Sequence, residues 1–166
     1  QIGNVYEIYE DATIYAIKVR AHPSTTPSCM AKGIIYFVDP GNPSSYYYMT
    51  ETQEINIGGN TNGWTNLILE SPIDVLAGDI ILATIYAEYN GVDTLVIGYH
   101  GASEAGESML QDLDGVQGDP GNWYYTTSTP MVRLNFDPSI ESMCDANYDF
   151  NIISYPSDYS GCDGIY

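Results

Sequence analysis

The sequence predicts an all-β protein, a two-sheet jelly-roll-like sandwich with a C-terminal extension. Three observations predict it. Short segments alternate apolar and polar residues with a period of two, as half-buried strands do. Clusters of Gly, Pro, Asn and Asp punctuate these segments at short intervals. Almost no stretch carries the 3.6-residue periodicity of an amphipathic helix. About nine strands joined in this way pack as two sheets around one core.

The segments read in order as follows. Thr13 to His22 (TIYAIKVRAH) places Tyr15, Ile17, Val19 and Ala21 on one face and Lys18 and Arg20 on the other. Lys32 to Asp39 (KGIIYFVD) is a second strand, stopped by the turn cluster Asp39-Pro40-Gly41-Asn42-Pro43. Tyr46 to Ile57 is a third, ended by Gly58-Gly59-Asn60, and Trp64 to Leu69 follows. Ile80 to Tyr89 has the apolar density of a central buried strand. Asn90-Gly91 predicts a hairpin turn from it into Thr94 to Tyr99. Gly101 to Asn122 is rich in Gly, Asp, Glu and Ser and reads as a surface excursion with at most one helical turn. Strand character returns at Trp123-Tyr124-Tyr125 and at Met131 to Phe136, and Asp137-Pro138 closes the pattern. The domain expectation is therefore a sandwich over residues 1–138 and an arm or extra strand over 139–166.

Charge narrows the function. Among 166 residues there are 22 carboxylates and four basic residues, a formal charge of −18, with an ordinary apolar fraction of 44%. Such a chain repels nucleic acid and anionic lipid, and its apolar content is that of a folded domain rather than an acidic tail. No run of 18 apolar residues is present, so no membrane insertion is expected. The sequence opens on Gln1, which reads as a mature N terminus left by signal-peptide removal, a trimmed chain being the alternative. Cys144 and Cys162 bracket a short Tyr/Asp/Ser-rich segment, and a disulfide between them would stabilise it by roughly 3 kcal/mol. Cys29 is then left over, either buried as a small apolar residue or paired differently.

Motifs that could carry chemistry are few. The loop Gln111 to Asp119 offers Asp112, Asp114 and Asp119 beside glycines, an oxygen-rich set suited to calcium, though it lacks the bidentate Glu of an EF-hand. A solvated loop is the alternative. Glu104 and Glu107 are near neighbours, but paired acids arise by chance among so many, and no nucleophile motif accompanies His22 or His100. Aromatics are more suggestive. Tyr46-Tyr47-Tyr48, Trp64, Trp123, Tyr124 and Tyr125 could stack on sugar rings, with Asn62, Asn66 and Asn122 bonding hydroxyls. The competing expectation puts Trp64 and Trp123 in the core, while consecutive tyrosines must project to both faces of a strand. The tail segment alternates Tyr148, Phe150 and Ile152 with Asp149 and Asn151. It reads either as a strand returning to its own sheet or as an arm that pairs with a neighbouring copy.

Three stretches carry a family resemblance: Ile2-Gly3-Asn4-Val5-Tyr6-Glu7-Ile8 with Ala12-Thr13-Ile14, then Pro72-Ile73-Asp74-Val75-Leu76-Ala77-Gly78-Asp79, then Trp123 followed by Thr129-Pro130-Met131-Val132-Arg133-Leu134-Asn135-Phe136. Through them the chain resembles the β-sandwich surface modules of Bacteroidota proteins secreted by the type IX system. The resemblance implies a jelly-roll-type module at the cell surface. It implies no activity, because those modules share no active site, and the C-terminal sorting domain of such proteins is missing from the sequence. Asp93-Thr94-Leu95 matches the O-glycosylation pattern of that phylum, which would make Thr94 a sugar acceptor.

The functional expectation is a non-enzymatic, extracellular structural protein, a self-assembling surface fibre or adhesin subunit. Its partner would be further copies of itself, assembled through Tyr148, Phe150 and Ile152, with no cofactor beyond calcium. The alternative is a carbohydrate-binding module of a larger secreted protein, which predicts a planar aromatic row on one sheet face and surface glycans as partner.

Overall fold

A computed structural model describes residues 1–59, 63–88, 91–113 and 119–140. Twelve strands form among them: β1 (Ile2–Glu7), β2 (Ala12–Val19), β3 (Met30–Asp39), β4 (Asn42–Glu51), β5 (Ile55–Asn56), β6 (Thr65–Val75), β7 (Ile80–Tyr86), β8 (Tyr99–Ala102), β9 (Ser108–Gln111), β10 (Trp123–Tyr125), β11 (Ser128–Pro130) and β12 (Val132–Asn135). The larger sheet runs β10-β9-β1-β7-β3-β4, with β5 also pairing β3; the smaller runs β12-β2-β6, and β11 pairs β8. All pairings are antiparallel. No helix among the described residues is long and apolar enough to cross a membrane.

The core lies between the two sheets. Ile35, Ile81, Ala83 and Ile85 from the larger sheet meet Ile17, Val19, Leu67, Leu69, Val75 and Val132 from the smaller. The layers approach closely at Gly33, where a Cβ would lie 2.7 Å from Ile17 Cδ1. The all-β sandwich expected from the sequence is the architecture of the chain. Ile140 remains buried at the end of the described segment. The extension beyond it, with Cys144, Cys162, Tyr148, Phe150 and Ile152, lies outside the described residues.

Several local expectations change. Tyr15 does not join Ile17 and Val19: a bulge between Ile14 and Ala16 inverts the alternation, so Ile14 enters the core and Tyr15 is only half-buried. β6 runs six residues past Leu69 and through Pro72. On β6 the pairing jumps from Ile68 to Ile73 while β2 moves only from Ala16 to Ile14. The proline is tolerated because β6 is an edge strand. No hairpin forms after Gly91, because both flanks of β7 are taken by β1 and β3. The chain crosses instead to residues 22–26: Val96 O accepts from His22 N at 2.7 Å and Thr94 O from Thr26 N at 3.0 Å. The Gly101–Asn122 excursion contains a sheet strand, β9, inserted between β1 and β10.

One buried polar residue clasps the layers. Asn4, on β1, donates from Nδ2 to the carbonyls of Pro130 and Val132, each at 2.8 Å, and accepts at Oδ1 from Ser108 Oγ at 2.8 Å. Tyr6 OH donates to the same Val132 oxygen at 2.5 Å. These bonds close the free edge of β12 onto the larger sheet. Replacing Asn4 by Leu leaves the Pro130 carbonyl and the Ser108 hydroxyl short of a partner in a dry setting. Asn4→Leu is therefore expected to lower the unfolding free energy by about 2–5 kcal/mol, read from the urea midpoint at an unchanged slope. A loss below about 0.5 kcal/mol would show that the clasp contributes nothing.

Candidate functional site

β7 is buried on both faces, and this creates the site. Ile81, Ala83 and Ile85 point into the sandwich core, while Leu82 belongs to a second cluster with Val38 and Met109 on the opposite face. Register assigns the rest of that face: Gly3 and Val5 from β1, Ile80 and Thr84 from β7, Tyr36 and Val38 from β3, Tyr46 and Tyr48 from β4, Met109 and Gln111 from β9, Trp123 and Tyr125 from β10.

The face is concave. Five strand spacings separate β10 from β4, about 24 Å on a flat sheet, yet the ring centroids of Trp123 and Tyr46 are 4.8 Å apart. The sheet curls until its two edges meet through their side chains. Trp123 and Tyr46 tilt by 40° to one another. Tyr36 stands edge-on to Trp123 (5.6 Å, 80°) and to Tyr48 (6.3 Å, 81°). Each such pair contributes about 0.5–1.5 kcal/mol beyond area burial. Beside this closure lies a hollow of about 620 Å³, floored by Val5, Val38, Ile80 and Met109 and rimmed by Tyr46, Trp123, Tyr125, Pro43-Ser44 and Ala105-Gly106. The floor admits no side chain at Gly3, where a Cβ would fall 1.8 Å from the Ala83 carbonyl oxygen.

A polar set occupies the same face. Gln1 Nε2 donates to Tyr36 OH at 2.9 Å and to Gln111 Oε1, and Thr84 Oγ1 donates to Gln1 Oε1 at 3.1 Å. Further along, Lys32 Nζ meets both carboxylate oxygens of Glu51 at 2.9 Å and lies 5.7 Å from the Tyr86 ring centre. This half-exposed pair contributes at most about 1 kcal/mol. The hydrogen bond that Lys32 donates to Glu51 raises the Lys32 pKa against the opposing effect of burial.

The residues singled out from the sequence divide sharply. Tyr46, Tyr48, Trp123 and Tyr125 come together on the concave face, while Tyr47 projects from the other side of β4 and is exposed. The expectation that both tryptophans are core residues is corrected: Trp123 is half-buried on the concave face, and Trp64 is half-buried with the Arg133 guanidinium 4.5 Å from its ring centre. A planar row is not what forms, given the mutual tilts. Asn66 is on the smaller sheet, bonded to Asn135 Nδ2 at 3.2 Å, and Asn62 lies outside the described residues. Asp112 and Asp119 close the neck of their loop, bonding Gly121 N (2.6 Å) and Asn122 N (3.3 Å) through their carbonyls. Asp114 lies outside the described residues. Glu107 accepts from the Glu104 backbone N–H at 2.8 Å, so that carboxylate staples a turn. Thr94 is exposed, its backbone N–H donating to Thr26 Oγ1 at 2.9 Å. Cys29 is a buried free thiol whose pKa is raised by desolvation first and by Asp93 and Glu54 after it.

Tyr36, Gln1, Gln111 and the apolar floor were not singled out from the sequence. The available signal was the unbroken apolar runs of β3 and β7, which mark strands covered on both faces. No protein-family model, curated protein or solved structure matches the chain.

Burial raises the pKa of Tyr36, outweighing the Gln1 hydrogen bond, and raises that of Tyr46; at Tyr6 it outweighs Asn4 and Arg133. A raised folded value means the folded chain holds the proton more tightly. This stabilisation is complete below the ordinary tyrosine value of about 10 and is lost as pH rises through the folded values. Ultraviolet titration is expected to resolve a late-ionising class that vanishes in Tyr36→Phe/Tyr46→Phe/Tyr6→Phe, with unfolding free energy falling above about pH 10. A single tyrosine class would contradict the burial.

Proposed function

We propose that the chain is a non-enzymatic extracellular binding module of adhesin type that holds carbohydrate in the hollow of its larger sheet. The observation that carries this reading is the meeting of Trp123, Tyr46 and Tyr36 over a concave apolar floor. Sugar rings present C–H faces that pack on aromatic faces, and their hydroxyls need amide and hydroxyl partners at the margin. Ser44, the Trp123 indole N–H and the hydroxyls of Tyr46 and Tyr125 supply such groups. Covering Leu82 and Val38, 0% and 2% exposed, accounts for Trp123 and Tyr46 alone. It does not account for Tyr48 and Tyr125, which leave 58% and 60% of their surface to solvent at the same face. The acidic surface and the resemblance to secreted modules support an extracellular setting.

These two exposed tyrosines give the test. Tyr48→Ala and Tyr125→Ala are each expected to weaken glycan binding about five- to tenfold while changing stability by no more than about 0.5 kcal/mol. A glycan array followed by titration calorimetry reads the first and urea unfolding the second. Retention of no glycan by the native chain, or native affinity in both variants, would sink the reading.

A second reading, a self-assembling fibre subunit, has one observation of its own: among the described residues, β4 ends the larger sheet and pairs along its length only with β3. Such an edge accepts a strand from a neighbouring copy. Pro43 and the bulges opposite Ile35–Tyr36 and Val38–Asp39 confine the regular stretch to Tyr46–Tyr48 and Thr50–Glu51. Negative-stain microscopy of the whole chain beside a version ending at Ile140 tests it. Fibres that vanish on truncation are the expected result under this reading, and monodisperse particles in both samples would exclude assembly through the tail.

A further inference from the structure

The hollow has a chemical selectivity of its own, and the inference rests on the carbohydrate reading above. We infer that the site takes a single soluble chain of uncharged sugars, and rejects both polyanionic glycans and the flat faces of crystalline polysaccharide. Shape argues the second exclusion. A flat crystal face is gripped by rings lying in one plane, whereas the rings here are inclined by 40°, 80° and 81° to their neighbours. They also sit on the concave side of a sheet whose edges nearly meet, with Pro43-Ser44 and Ala105-Gly106 standing on the rim. A plane laid across that rim touches the rim alone. A single chain enters the hollow and meets the floor at Val5 and Met109.

Charge argues the first exclusion. The lining of the hollow contains no lysine, arginine, aspartate or glutamate. Lys32, on the same face but outside that lining, is already held by both oxygens of Glu51. A uronate or sulfate entering would exchange its hydration for an apolar floor with no cation to meet it. It would also approach through the field of a chain carrying −18. An uncharged sugar pays neither penalty and is held by ring stacking and by the Ser44 and tyrosine hydroxyls of the lining.

The experiment uses three probes on the whole chain. They are a panel of soluble neutral hexasaccharides (β-1,4- and β-1,3-glucan, mannan, xylan), a soluble polyuronate, and microcrystalline cellulose and chitin in pull-down. The expected result is saturable calorimetric binding of at least one neutral hexasaccharide. Its affinity should change less than about twofold between 50 mM and 500 mM NaCl, since no charge pair is there to be screened. That binding should fall about tenfold in Tyr125→Ala, and neither the polyuronate nor the crystalline polymers should be retained. Retention of the polyuronate with affinity falling as salt rises, or of the crystalline polymer with no neutral hexasaccharide, overturns this inference and leaves the carbohydrate reading standing. Failure of every probe overturns both.

Discussion

The rest of the structure depends on the two-sided burial of one strand. β7 is the middle of the larger sheet and is excluded from solvent from Ile81 through Ile85. Its inner face needs the smaller sheet, which supplies Ile17, Val19 and Leu67. Its outer face needs a cover as well, and no helix or third layer provides one among the described residues. The sheet covers itself. By curling until Trp123 on β10 reaches Tyr46 on β4, it shields Leu82 and Val38 with its own edge residues. At about 25 cal/mol per Å² of apolar surface removed from water, a buried leucine gains roughly 2 kcal/mol from such a cover. Curvature is thus a consequence of what the middle strand carries.

That origin explains why the candidate site is rigid. The rings that close the concave face are also the lid of a small core, so their orientations are fixed by packing before any ligand arrives. Preorganisation of this kind lowers the entropy lost on binding. Sites built on strands also keep their geometry better than sites built on loops. Gln1 adds to the effect: its amide bonds Tyr36, Gln111 and Thr84 at once, tying β3, β9 and β7 beneath the rings. The same economy sets a limit on mutation. Trp123 and Tyr36 belong to lid and platform together, whereas Tyr48 and Tyr125 belong almost wholly to the platform.

The sandwich was legible in the sequence wherever local alternation and tertiary burial agree, as at Ile17 and Val19 or in the dense run Ile80–Tyr86. It was illegible where pairing partners far along the chain decide the outcome. Ser108–Gln111 reads as loop because a four-residue strand with two apolar side chains has no local signature; it is a strand because β1 and β10 stand on either side of it. Asn90-Gly91 carries the chemistry of a tight hairpin, but with both flanks of β7 occupied residues 94–96 bond to residues 22–26 instead. At Tyr15 a bulge moves the whole phase by one residue, which alternation alone cannot register. Of the site, the aromatic identities were legible and their assembly was not. Trp123 and Tyr46 are 77 positions apart in the chain and meet only because the sheet between them curls.

The acidity of the chain has a structural use that bears on the site. Carboxylates recur at turns, where each accepts a bond that the backbone would otherwise leave open. Asp39 takes Gly41 N at 2.8 Å, Asp79 takes Leu76 N at 2.8 Å, Asp11 takes Ala77 N at 2.9 Å, and Asp137 takes Ser139 N at 2.9 Å. With Glu107 on Glu104 N, five of the acids are stitched into the joints between elements. Four of the five reach a backbone N–H two or three residues away, as short acidic side chains readily do, while Asp11 reaches across to Ala77. The consequence is a separation of duties along the molecule. Charge gathers at turns and rims, where water screens it, and the hollow of the concave face is lined by aromatic, apolar and hydroxyl groups, with the Lys32–Glu51 pair outside that lining. A surface this acidic repels anions at long range while the hollow beside Trp123 and Tyr46 offers no charged side chain at short range. Both effects favour an uncharged partner.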